Sequence, residues 1–364
     1  MKDQTLLAVN GGSSSVKAAL FYDNKRQDFH YAHIGQGEFP DHAAAYGKLI
    51  ADLHGRTVHA VGHRITHGGD AADAARIIDH QELERLKNLV PLAPLHQPHN
   101  LLGVALCAQK LSVKQVACFD TAFHHTLSEL AQRLPVPREL GFKRHGFHGL
   151  AYANVARVLP GLLGEAARQR VIVAHLGSGA SVCLLEDLKS MDTTMSLTPL
   201  GGLPMATRSG DLDPGVVLEL VKRHGVDDAA RLLYRKSGLL ELSRGMSGDM
   251  QTLLTCDTPD SRFAIAYFCR SVAAAIGALA AKAGGVDALV FTGGIGEHSP
   301  QVRAGICAPL AFLGIRLSSE ANNGNKQSIN ATECKPVMRI KVDEESEIAT
   351  LTEAVLNAGN SIQS

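Results

Sequence analysis

Two arginines stand in loops built mostly of small residues. Arg64 lies in Gly62-His63-Arg64-Ile65-Thr66-His67-Gly68-Gly69, directly after the apolar run VHAV, and Arg208 lies in LTPLGGLPMATRSGDLDP (197–214). A guanidinium presents a planar fork of N–H donors that matches carboxylate and phosphate oxygens. Loops this rich in Gly, Pro, Thr and Ser do not build cores; they position side chains. Two such arginines suit a phosphoryl group in transfer, whose negative charge is spread over its equatorial oxygens. Asp120 follows an apolar strand in Cys118-Phe119-Asp120-Thr121, where a carboxylate is costly unless paired or bound to a metal. With the cluster Asp343-Glu344-Glu345 it is a candidate for holding Mg²⁺ through oxygen ligands or water. His148, between Phe147 and Gly149, falls in an expected loop, a poor place for a packing residue. Taken singly, each segment has a plainer account. GHRITHGG reads equally as a surface loop, Asp120 as a cap, Pro94–Asn100 as a Pro-bounded turn, His148 as a structural histidine, and the acidic cluster as the solvated start of a helix.

The chain also says nearly the same thing twice. Residues 6–20 read LLAVNGGSSSVKAAL and residues 171–185 read VIVAHLGSGASVCLL. Aligned without a gap, Asn10 falls on His175, Gly12 on Gly177, Ser13 on Ser178, Val16 on Ser181 and Leu20 on Leu185. Each copy reads as a buried strand, a tight Gly/Ser turn and a return strand. Such turns expose backbone N–H groups and hydroxyls on one concave surface, which suits phosphate oxygens. A third Gly-rich turn, Gly293-Gly294-Ile295-Gly296, follows the apolar run ALVFT.

The elements that must carry these residues alternate in type. Strands are expected at 5–10, 16–22, 56–62, 115–119, 171–176, 181–186 and 288–292. Helices are expected at 40–54, 81–90 (or two residues earlier, capped by Asp79), 98–110, 150–158, 214–224, 227–236, 261–284 and 344–358. The alternation predicts α/β layers. With no Ser/Pro-rich linker, the duplication sets the domains: 1–122 with a returning helix over 346–364, and 123–345. The apolar run 261–284 has helical spacing and many small residues, and reads as a core helix.

Composition narrows the function classes. Of 364 residues, Lys plus Arg and Asp plus Glu number 36 each, so no basic excess points to nucleic acid or an acidic membrane surface. Trp is absent and other aromatics are scarce, which disfavours a base-stacking platform. The seven cysteines have no zinc or redox spacing and lie mostly in apolar runs, as buried thiols in a reducing compartment do. The N-terminal segment enters a strand without a secretory pattern, so a cytoplasmic protein is expected.

Together the segments NGGSSSVK (10–17), GHRITHGG (62–69), PLHQP (94–98), FDTAFHHT (119–126), RHGFHG (144–149), HLGSGAS (175–181), 197–214 and FTGGIGEHS (291–299) resemble the acetokinase family of acetate, propionate and butyrate kinases. The resemblance implies two duplicated RNase H-like α/β domains of the actin, sugar-kinase and heat-shock ATPase superfold, with ATP in an interdomain cleft. It also implies site residues. Asn10, Ser13, Ser15 and Lys17 match the first phosphate loop, and Asn10 and Glu344 the metal side. Arg64 and Arg208 match the arginines on the carboxylate and the transferring phosphoryl group. His148 matches a transition-state histidine, His96 and His175 two further active-site histidines, and Asp120 an acid associated with Mg²⁺ and the nucleophile. Thr66, Leu95, Phe147 and Pro199 match the acyl pocket. His175, Gly177, Ser178, Gly179, Asp249, Gly293, Gly294, Ile295 and Gly296 match the nucleotide side. A homodimer is implied as well.

The departures bear on specificity. Thr66 replaces the usual Val and adds a hydroxyl to the acyl pocket. Ser178 stands where the family has Asn, Gln251 where it has Arg, and His298 where it has Asn; the chain is shorter than typical members before Gly62. The expected reaction is direct in-line transfer from Mg·ATP (with Mn²⁺ an alternative metal) to acetate, giving acetyl phosphate and ADP. A carboxylate is already ionised at neutral pH, so no strong base is required. Propionate or another short acid, and pyrophosphate as donor, stay open. A nucleotide-binding regulator without turnover is the alternative of a different class, disfavoured by the retained charged residues. A sugar kinase would need a larger polar pocket than Leu95, Phe147 and Pro199 suggest.

Overall fold

The computed structural model describes residues 4–12, 15–35 and 37–360, so Ser13 of the expected phosphate loop lies outside the described residues. The chain divides into two compact units. Unit 1 comprises Met1–His125, Phe147–Asn154 and Asp343–Ser364; unit 2 comprises Thr126–Gly146 and Val155–Val342.

In unit 1, β1 (Leu6–Gly11), β2 (Val16–Tyr22), β3 (Lys25–Tyr31), β4 (Ala60–Ile65), β5 (Ala75–Ile77) and β6 (Lys114–Phe119) form a sheet of order β3-β2-β1-β4-β6-β5. In unit 2, β7 (Val171–Leu176), β8 (Ala180–Glu186), β9 (Lys189–Thr193), β10 (Ala288–Thr292) and β11 (Val337–Arg339) run β9-β8-β7-β10-β11. The first three strands of each sheet are antiparallel neighbours, and the next two are parallel. Unit 2 therefore repeats unit 1 strand for strand, without the extra edge strand β5, and both are domains of the actin-like ATPase superfold.

Strand pairing corrects the ungapped alignment of the two copies. In unit 1 Asn10 pairs with Lys17 and Gly11 with Val16; in unit 2 His175 pairs with Ser181 and Leu176 with Ala180. With Asn10 on His175, Val16 therefore falls on Ala180 and Leu20 on Leu184. The first turn, residues 12–15, is one residue longer than the second, residues 177–179. A one-residue slip exchanges the faces of a strand. Past Lys17 the return strands are buried on both faces, so no polar alternation marks the register.

Unit 1 is a sheet between helices. Leu7 and Val9 point to one face, where Ala45, Tyr46, Leu49 and Cys107 of helices His42–Asp52 and Gln97–Lys110 cover them. Ala8 points to the other, packed with Val116, Cys118, Ile348 and Ala349, the last two from helix Glu344–Asn360. That helix approaches closely because residue 62 has no side chain: a Cβ there would lie 2.1 Å from Thr352 Oγ1. The first glycine of GHRITHGG is thus a packing residue. The segment Phe147–Asn154 returns to unit 1 for a similar reason. Gly149 N donates to Asp120 O at 2.9 Å, and a Cβ on Gly149 would come within 2.0 Å of that oxygen.

Helix Pro259–Lys282 is, among the described residues, the one helix long and apolar enough to cross a membrane by length and composition. Its buried face, including Ala264, Phe268, Val272, Ile276 and Leu279, packs within its own unit against helices and strands β7 and β8. The expected helices over 214–224 and 227–236 form one run, Pro214–Arg235, broken by Gly225 at φ 78°. Strands β3, β5, β9 and β11 were not expected. They are polar or only three residues long.

Candidate active site

Unit 1 gathers its charged candidates where strands end. β4 extends to Ile65, so Arg64 lies within the strand rather than after it. Arg64 Nε and Nη2 both donate to Asp120 Oδ2, at 2.9 and 2.7 Å, and Nη1 donates to Asn10 Oδ1 at 3.1 Å. Asn10 Nδ2 in turn donates to Glu344 Oε2 at 2.7 Å and Glu345 Oε1 at 3.2 Å. One amide thus joins the arginine to the acidic start of the last helix. Three of the five guanidinium N–H groups are used, which leaves two for a ligand. The Arg64 side chain retains 18% exposure and Asp120 none.

The electrostatics of this group follow from burial. Burial opposes the charge on Arg64, but Asp120 and then Glu344 outweigh it and raise its pKa above the ordinary value. Burial pushes the Asp120 carboxyl up, Arg64 pulls it down, and Glu344 adds to the rise. Burial, then Glu344, raises Glu345. Among the described residues no three His, Cys, Asp or Glu side chains form a metal cage. Mg²⁺ on a phosphate substrate takes only one or two carboxylates, with water and phosphate oxygens completing its shell. Asn10, Asp120 and Glu344 fit that donor set. Asp120 Oδ1, buried and without a hydrogen-bonding partner, is the observation in its favour.

The loop after β4 is held by helix Gln97–Lys110. Thr66 N and Thr66 Oγ1 each donate to Asn100 Oδ1 at 3.0 Å, and Asn100 Nδ2 donates to Gly11 O at 2.7 Å. The Thr66 hydroxyl, expected beside the acyl chain, is here bonded to Asn100. His67 exchanges backbone bonds with the Gln97 amide, both at 3.1 Å, and its ring meets Phe147 edge-on at 5.4 Å. Phe147 is 1% exposed. Next to it, His148 takes φ 58°, a left-handed conformation that a non-glycine residue rarely adopts and that favours functional positions. Leu95 and His96 are half-buried just before the same helix. Lys17 is exposed on β2 opposite Asn10, and Ser15 O accepts Gly12 N at 2.8 Å to close the first turn.

In unit 2, His175 lies on β7 beside the turn that Gly177 N closes onto Gly179 O at 2.9 Å. Ser178 O accepts Ala206 N at 3.2 Å, which ties this turn to the 197–214 loop. Arg208, 8% exposed, donates from Nη1 to Pro199 O at 2.8 Å. Pro199 thus stands with Arg208 in unit 2, whereas Thr66, Leu95 and Phe147 belong to unit 1. The turn Gly293–Gly296 opens a short helix whose first amide is taken: Gly293 N donates to Glu297 Oε1 at 3.1 Å. Ile295 and Gly294 follow it within that helix. Asp249 caps helix Met250–Cys256, accepting from Thr252 N and Oγ1 at 2.8 Å each. Gln251 is exposed, and His298 lies 3.8 Å from Glu297.

Sequence reasoning passed over the residues that hold these turns. Gln97 and Asn100 sit inside a segment it singled out, three residues apart at a helix start, a spacing that places both on one face. Arg303, fully buried, binds Gly296 O, Glu297 O and the Asn322 and Asn325 side chains. Burial, then Arg339, lowers its pKa to about 10. Its only sequence signal was a lone arginine in an apolar helix.

Repeated actin-like domains with Gly-rich turns and a buried ion pair define a member of the superfold that contains kinases and ATPases. The comparisons with known proteins give its family. The model of the acetokinase family matches residues 31–350. The chain is 41% identical over 354 residues to an acetate kinase of Rhodopseudomonas palustris (strain TIE-1), covering 87% of this chain and 89% of that protein. It is 46% identical over 304 residues to an acetate kinase of Nitrobacter hamburgensis, covering 82% and 75%. A solved propionate kinase from Francisella tularensis superposes with a TM-score of 0.86 at 31% identity, covering 96% and 98%. The acetate kinase of Porphyromonas gingivalis superposes at 0.84 and 32%, covering 97% and 100%. The chain belongs to the acetokinase family and is a short-chain carboxylate kinase.

Proposed function

We propose that the enzyme transfers the γ-phosphoryl group of ATP to acetate, reversibly, by direct attack of a carboxylate oxygen on phosphorus. The products are acetyl phosphate and ADP. The chief support is Arg64, fixed by Asp120 and Asn10 with two N–H groups left over. A preset fork of this kind orients one anion and offsets charge at the moment of transfer. Arg208 and His148 serve the same phosphoryl group, and the turns at Gly12 and Gly177–Gly179 cradle the phosphate chain. Asn10, Asp120 and Glu344 hold Mg²⁺ or Mn²⁺, which supplies charge neutralisation to the phosphates when bound. By the family resemblance Leu95, Phe147, Pro199 and Thr66 are assigned to the acyl chain, and His96 and His175 to the transition state. Gly293–Gly296 and Asp249 are on the nucleotide side.

Trapping the acyl phosphate as a hydroxamate tests the reaction. Purified enzyme with Mg·ATP and acetate should yield the hydroxamate, and a chelator should abolish it. No product from acetate, propionate or butyrate with ATP, GTP or pyrophosphate would overturn the proposal and favour a non-catalytic regulator. The same panel ranks the acids and donors. We further propose a cytoplasmic homodimer, in keeping with the family resemblance and with seven free cysteines. Light scattering on the eluted protein reads the subunit number.

A further inference from the structure

The parallel ladder between β1 and β4 ends at Val9 and His63. Beyond that pair, β1 runs on into the first phosphate turn, and β4 runs on through Arg64 to Ile65 and then Thr66. No ladder bond fixes their separation. Asn100, 3% exposed, spans the gap: its carbonyl oxygen takes Thr66 N and Oγ1, and its amide nitrogen donates to Gly11 O. All three bonds lie between 2.7 and 3.0 Å. From the same side, His42 Nε2 donates to Gly12 O at 2.8 Å. With the carbonyls of Gly11 and Gly12 both held by helix side chains, this end of the turn is anchored from the helix side.

We propose that Asn100 is a positioning residue that sets the distance between the acyl pocket and the phosphate turn, and hence between the attacking carboxylate and phosphorus. The proposal rests on the carboxylate-kinase assignment and on Thr66 bordering the acyl pocket. Asparagine is required because the link needs an acceptor and a donor on one short side chain. Aspartate keeps the shape and accepts both Thr66 bonds, but its ionised carboxylate repels Gly11 O.

Two variants test it, Asn100→Asp and Asn100→Ala. A misplacement of the reacting groups on the order of 1 Å costs roughly 100-fold in rate. Each variant should lose about 10–100-fold in kcat for acyl phosphate formation, with KM for Mg·ATP within about threefold of the parent. A kcat within twofold of the parent in a folded variant would overturn the proposal. So would a loss that vanishes at temperatures where the variant is fully folded, since that is a stability effect alone. Hydrogen exchange reads the link without turnover. In Asn100→Ala, peptides covering residues 8–12 and 66–69 should both lose protection. Protection lost at only one, or at neither, would overturn the link. If the parent enzyme makes no acyl phosphate, the kinase proposal fails by itself and hydrogen exchange still decides the role of Asn100.

Discussion

At the end of β4 stands Arg64; at the matching position of β10 stands Thr292, with glycines after it. The register makes the match: Val9 pairs with His63 in unit 1, and Ala174 with Phe291 in unit 2. The same count sets Asn10 against His175 and Asp120 against Val342. In unit 1 an ion pair stitches the strand ends, Arg64 to Asp120. In unit 2 a single carboxylate does so, with Glu297 Oε1 accepting Thr292 Oγ1 at 3.5 Å, Gly293 N at 3.1 Å and Val342 N at 3.3 Å. One scaffold therefore joins its strand ends by a charged pair in its first copy and by a carboxylate set on backbone amides in its second. A carboxylate needs directed side-chain donors, whereas a phosphate chain can be held by main-chain N–H groups.

If that division holds, substitutions in the two units should fail differently. The largest effect is expected from Arg64→Ala. Turnover should drop by roughly 100-fold or more, and the fold should suffer too, because Asp120 is left buried without its partner. Breaking such a pair costs about 3–5 kcal/mol. Arg64→Ala with Asp120→Asn should recover much of the thermal midpoint but none of the turnover. Near-parental turnover in the single variant would remove unit 1 from the chemistry.

Next is acid sensitivity, which should reside in unit 1. His63, where unit 2 has Phe291, is 1% exposed, and burial lowers its pKa to about 4 despite a bond to Gln115. A lowered folded pKa means the unfolded chain binds the extra proton. His63's contribution is thus complete above pH 6.5 and is lost as pH falls toward about 4. The loss is roughly 3 kcal/mol at one unit per 1.36 kcal/mol. Denaturant titrations between pH 7 and 4 should be less steep in pH for His63→Gln. An equal slope in both proteins would assign the acid sensitivity elsewhere.

Glu297→Ala should cost about 1–3 kcal/mol, because buried donors lose their acceptor, and should raise KM for the nucleotide more than for the acid. The opposite ranking would undo the assignment of unit 2 to the nucleotide. The smallest effect belongs to Thr66→Val. With its hydroxyl on Asn100, the change should lower stability by about 1 kcal/mol and leave the preference among short acids unmoved. A shifted preference would mean that the hydroxyl reaches substrate after all.

The sequence displayed the site's chemistry better than its mechanics. Arg64, Asp120, His148 and Arg208 stood out because charged or titratable residues in Gly-rich or apolar segments need partners, and the structure pairs the first two. The duplication was legible because β1 and β7 share an apolar run and a turn. The return-strand register was not, because Ala18–Phe21 and Ala180–Leu185 are buried on both faces and one turn has an extra residue. Asn100, Gln97 and Glu297 escaped because their significance lies in which backbone atoms they meet, and polar residues near helix starts are ordinarily read as caps. The bond from the Thr66 hydroxyl to Asn100 escaped for the same reason. Edge strands such as β3 and β9 carry too many polar residues to announce themselves.

The bond from Asn10 to Glu344 spans 334 residues. At roughly 5–20 residues per second, the ribosome adds Glu344 tens of seconds after Asn10. Throughout that interval the Ala8 face of the sheet lacks Ile348 and Ala349, and Asn10 lacks its carboxylate partners. Unit 2 emerges whole in the meantime. The domain begun first is therefore finished last, and until its final helix is made it stays open along the surface that helix will cover.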